Sequence, residues 1–175
     1  MEQNWIALMQ QQNQLAKVME TNEYTQRFGL SISKREAELL VAERKNSLTE
    51  QRRVEFGAGI LPKIIHTFCD SDFIEQDNYV ETLTQLQDIF YLYKNEMMDE
   101  ITDDELLQFM REKFDKICFG DLDYLSGTCL SKFAEAIRSG YNSWQRSDGY
   151  GKSVQLDDVE RWDYKLYMAA LEDLF

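Results

Sequence analysis

Residues 77–98 read DNYVETLTQLQDIFYLYKNEMM, and their spacing decides the fold. Tyr79, Leu83, Leu86, Phe90, Tyr93 and Met97 succeed one another at intervals of four, three, four, three and four. Only a helix puts such a seam on one side. Val80, Ile89, Tyr91 and Leu92 widen the seam, so this helix is expected at the centre.

The same period continues outward. Downstream, Thr102 and Glu105 have capping-box spacing, and Asp103, Asp104 and Glu105 fill a first turn where the helix dipole favours negative charge. A helix follows through Leu106, Phe109, Met110, Phe114 and Ile117. Another runs from Gly120 to the stop signal at Gly140 through Leu122, Leu125, Leu130, Phe133 and Ile137. Upstream, Pro62 opens a short helix to Cys69, with DSD at 70–72 ending it. Ser33 and Glu36 form a second capping box, starting a helix to about Arg53. Residues 21–32 read as a loop broken at Gly29. A first helix over about 3–20 places Trp5, Leu8, Met9, Leu15, Ala16 and Met19 on one side.

The spacing thus predicts an all-α chain, a compact bundle of six to seven helices in one domain over 1–141. A polar linker over 142–154 leads to a C-terminal helix over 155–175, whose stripe is Val159, Trp162, Leu166 and Ala170. That helix is expected to pack on the core in cis, a swapped dimer being the alternative. A chain of 175 residues with 43% hydrophobic content can bury about 70% of its extended surface, so no metal or disulfide staple is needed.

Charge narrows the function. The net charge is −13 and its distribution is uneven. Residues 1–69 carry nine Lys/Arg and eight Asp/Glu, whereas residues 70–175 carry ten and 24. Nucleic acids and anionic membranes attract basic footprints, so neither is expected as a partner. The start of the chain is acidic and its apolar run is broken by glutamines, which argues against a signal peptide. Cys69, Cys118 and Cys129 are odd in number and widely spaced, unlike a secreted disulfide framework. A reducing cytoplasm is the expected compartment.

Several chemistries fail on spacing. The chain has one histidine, so di-iron carboxylate sites and any two-histidine metal site are excluded. Asp70-x-Asp72 and Asp121-x-Asp123 do not continue as calcium loops. GYGKS at 149–153 resembles a phosphate loop, but the required first glycine falls at Arg146 and no apolar strand precedes it. His66, Cys69 and Asp70 can share a helix face, which would allow a thiol–imidazole pair. The simpler reading makes Cys69 a core residue and Asp70 a helix end. No catalytic residue, metal site or cofactor is assigned.

Arg44 lies inside the apolar stripe of Ala37, Leu40, Val41 and Leu48. A buried arginine requires a partner, either an internal carboxylate or an anion arriving in a groove. If a ligand pocket exists, Arg44, His66, Tyr79, Tyr93 and Glu96 are its candidate residues. They combine interior-facing aromatics with convergent polar groups.

RVEFGAGILPKIIHTFCDSDFIEQDNYVETLTQLQDIFYLYKNEMMDEITDDELLQFMREKFD (53–115) and GDLDYLSGTCLSKFAEAIRSGY (120–141) resemble a family of bacterial proteins described only as a domain of unknown function. The resemblance covers about residues 15–141 and implies a bacterial cytoplasmic protein with no assigned activity. The failed catalytic motifs, the charge asymmetry and the detachable terminal helix favour a non-enzymatic interaction or regulatory protein, monomeric or homodimeric, with a protein partner. The alternative is a small-ligand-binding protein or enzyme with a pocket among the helices.

Overall fold

A computed structural model of the chain describes residues 2–57 and 59–141; the expected linker and C-terminal helix, with GYGKS and the stripe around Trp162, lie outside the described residues. The elements are α1 (Glu2–Glu20), α2 (Asn22–Thr25), α3 (Lys34–Gln51), α4 (Leu61–Phe68), α5 (Tyr79–Glu96), α6 (Asp103–Lys116), α7 (Leu122–Tyr124) and α8 (Ser131–Glu135). Two π-helical stretches, Leu125–Leu130 and Ala136–Tyr141, make α7, α8 and their flanks one continuous rod. Among the described residues there is no strand, and no helix is long and apolar enough to cross a membrane.

The caps form as the sequence demands. Glu36 donates its backbone N–H to the Ser33 hydroxyl (3.1 Å), and its carboxylate receives the Ser33 N–H (2.9 Å). Thr102 and Glu105 repeat the arrangement at 3.1 and 3.0 Å. Each cap contributes about 1 kcal/mol. The stretch expected as a loop holds two helical turns instead, α2 and a 3-10 turn over Gln26–Phe28. The Asn22 side chain clips this turn by donating to and accepting from the backbone of Ile32 (2.9 and 2.8 Å). Gly29 closes it at φ 77°.

α5 packs against α3, α4, α6 and α7, and its whole seam is buried. Aromatic pairs fill the layer beneath it. Phe68 meets Phe114 edge-on at 5.3 Å, and Phe109 stacks on Phe133 at 3.9 Å. The C-terminal end of α5 is fixed by Lys94, which is 5% exposed. Its ammonium donates to the Ile101 carbonyl (2.7 Å) and pairs with Asp103 (2.8 Å). This clamp holds Met98 and Asp99, two consecutive left-handed residues, in the turn toward α6.

α1 differs from the other long helices. Val18 is buried and Leu15 and Met19 lean on the core, but residues 5–13 are all exposed. The first half of the helix overhangs the body.

Candidate functional site

The segment between α3 and α4 is tied at several points. Arg52 caps α3 in the left-handed region (φ 58°), and the Arg53 N–H returns to the Leu48 carbonyl at 2.9 Å. The Arg53 guanidinium reaches Asn95 (2.6 Å) in the last turn of α5 and Asp99 (2.8 Å) just beyond it. This pairing holds the Asp99 carboxyl below the usual carboxylate range. Asn95 in turn donates to the Gln51 carbonyl at 2.8 Å, so both ends of the contact are tied.

Glu55 then turns inward. Its carboxylate accepts from Arg44 Nε at 2.8 Å and from the Tyr91 hydroxyl, and its own carbonyl accepts from Arg44 Nη2 at 3.3 Å. Arg44 is 3% exposed and finds its carboxylate partner in this loop. Burial and the adjacent carboxylate push the Tyr91 phenol well above its ordinary range. Gly59 makes room, since a Cβ there would lie 1.8 Å from Glu55 Oε1. With Glu55 pointing in, alternation turns its neighbours out. Val54 is 83% exposed and Phe56 87%. Two large apolar side chains therefore stand in solvent on a loop pinned from behind.

The α3–α5 seam carries a second polar group. Asp88 lies beside Glu43 and Ser47. Burial, and then the Glu43 carboxyl, push it up to about 7. The folded state therefore holds a proton that the unfolded chain releases near pH 4. Stability should fall as pH rises from about 4 to about 7 and stay low above it. Asp88→Asn removes the titration. It should stabilise the protein by about 1–2 kcal/mol at pH 8, with solvent screening included, and by about a third as much at pH 5. Urea midpoints at the two pH values measure this. An equal effect at both would mean that the pair shares no proton.

Between α4 and α6 lies an open cleft of about 730 Å³, lined by Lys63, His66, Arg111, Asp115 and Lys116 among others. Arg111 is anchored there by Asp70 (2.5 Å) and Asp115 (2.6 Å), and it also donates to the Thr67 carbonyl. On its other side His66 borders a cavity of about 440 Å³ with Lys17, Glu20 and Glu23. The exposed imidazole packs on the Tyr24 ring at 4.9 Å. The Cys69 thiol faces the His66 carbonyl at 3.7 Å rather than the imidazole, and burial raises its pKa. A thiol–imidazole pair is therefore not formed.

The five candidate pocket residues are not brought together. Arg44 is in the loop lock and His66 is in the cleft. Tyr79 is fully buried, its hydroxyl beside Thr25. The Tyr93 hydroxyl donates at 2.5 Å to the Ser126 carbonyl, within the first π stretch. Glu96 lies at the end of α5 and takes Arg138 on its carbonyl (2.8 Å). Sequence reasoning missed Glu55, the partner that Arg44 required, and the outward pair Val54 and Phe56. It also missed that Cys118 and Cys129 lie 3.6 Å apart as buried thiols. Burial, then Cys129, pushes Cys118 up to about 12. Among the described residues no group of three or more His, Cys, Asp or Glu side chains is placed to hold a metal ion.

A family model described as a family of unknown function (DUF6323) matches residues 17–143, and the chain belongs to that family. No curated protein and no solved structure matches the chain significantly.

Proposed function

We propose that this member of a family of unknown function is a non-enzymatic interaction protein of the bacterial cytoplasm that binds another protein through the loop carrying Val54 and Phe56. One observation carries the reading. These apolar side chains are more than four-fifths exposed, yet their backbone is fixed by the buried Arg44–Glu55–Tyr91 cluster and by Arg53 on Asp99. A floppy loop would fold such residues away from water, whereas a pinned one presents them preorganised, which lowers the ordering cost of binding. Anchors of this kind fill apolar pockets on a partner. The acidic surface of residues 70–141 disfavours nucleic acid as that partner.

A photo-crosslinking amino acid at position 56, in cells that express the protein natively, tests this. A discrete protein adduct is expected from position 56 and not from the exposed control position Gln85. Val54→Ser with Phe56→Ser should abolish binding of the captured protein and change stability by less than about 1 kcal/mol, because both side chains are already solvated. Equal labelling from both positions would overturn the reading. A second reading rests on the cleft beside His66, whose volume suits a small ligand. It requires a compound whose stabilising effect is lost in His66→Ala.

A further inference from the structure

The overhanging half of α1 exposes Trp5, Ile6, Leu8 and Met9 at 64, 51, 56 and 44%. Trp5, Leu8 and Met9 continue the stripe that Leu15 and Met19 seat on the core. The body ends before the stripe does. We propose that the C-terminal segment of the same chain, residues 155–175, covers this face in cis. The proposal is independent of the role assigned to Val54 and Phe56.

Three observations select that occupant. The first is area. The four side chains expose about 400 Å² of apolar surface, roughly half of what each partner contributes to a standard protein interface. That is too little for a stable symmetric dimer of two α1 helices. It is enough for a tethered segment, whose docking is intramolecular.

The second is chain length. The described structure ends at Tyr141, and residues 142–154 intervene before the stripe of Val159, Trp162, Leu166 and Ala170. Thirteen residues span up to about 45 Å, more than the roughly 35–40 Å diameter of a domain this size. Both segments also fall outside the 17–143 family match, apart from the first two linker residues. The matched span therefore contains neither Trp5, Leu8 and Met9 nor Val159, Trp162, Leu166 and Ala170.

The third is charge. Residues 142–175 hold seven acidic and four basic side chains, and residues 70–141 hold 17 and six. Like charge keeps the tail off that acidic body. Residues 3–16 carry no charged side chain at all, so the overhang does not repel it.

The test uses the full chain with benzoylphenylalanine at position 8, irradiated at micromolar concentration and mapped by peptide mass spectrometry. The expected product is a monomer linked from position 8 to residues within 159–175. Trp162→Asp should remove that link and lower amide-exchange protection of residues 5–13 at least tenfold. Covalent dimers, links to the core alone, no link, or unchanged protection in Trp162→Asp would each overturn the proposal.

Discussion

Replacing Arg44 with methionine should cost about 3–5 kcal/mol of stability, because the change strands a carboxylate that the fold has turned inward. Methionine fills the channel of the arginine stem but offers no donor. Glu55 would keep the Tyr91 hydroxyl as its remaining partner. The Glu55 side chain is 20% exposed, so water can reach part of it, which favours the lower end of the range. Arg44→Met with Glu55→Leu should recover most of the loss, since a matched apolar pair no longer buries a lone charge. Urea unfolding of the three variants measures this. A change below about 1 kcal/mol in Arg44→Met, with loss of a stabilising effect of phosphate, would instead make Arg44 an anion receptor.

The parts of this fold that were legible in sequence are those in which one residue type decides one local geometry. The α5 seam is buried as its spacing predicts, and both capping boxes close. The stretch around Asn22 reads as loop in sequence but forms helical turns. Its short helical turns depend on a side chain clipping a backbone ten residues away, which no local pattern announces. The candidate site was hidden for a related reason. Gly57 and Gly59 read as a break, and a break suggests neither a partner for Arg44 nor order. In Val-Glu-Phe, hydrophobicity alone would point the two apolar residues inward. The buried guanidinium reverses that preference, because an unpaired charge costs more than two solvated side chains. Cys118 and Cys129 meet because Phe119 and Gly120 reverse the chain with positive φ, and a Cβ at Gly120 would lie 2.8 Å from Phe73. The overhang of α1 was invisible, since a stripe shows that a face is apolar and not how much body is there to cover it.

The Arg44 requirement passes through Glu55 to a residue that carries no side chain. Gly57 and Gly59 have the same φ, +63°, so alanine at either position incurs the same left-handed strain of roughly 1–2 kcal/mol. They differ in what the new methyl group meets. At Gly57 nothing lies within 4 Å. At Gly59 the methyl would sit 1.8 Å from Glu55 Oε1 and 2.7 Å from Arg44 Nη2. The carboxylate must swing out, leaving the guanidinium and the Tyr91 hydroxyl buried without it. Gly59→Ala should therefore cost about 3–5 kcal/mol, and Gly57→Ala only about 1–2 kcal/mol. In an Arg44→Met background much of the Gly59→Ala penalty should disappear, because both changes disrupt one shared interaction. The loop above would move with Glu55. Labelling of a partner from position 56 should then fall in Gly59→Ala although neither Val54 nor Phe56 has been touched, and it should persist in Gly57→Ala. Equal costs for the two glycine variants would mean that Glu55 does not occupy the space over Gly59. The outward posture of Val54 and Phe56 would then need a different cause.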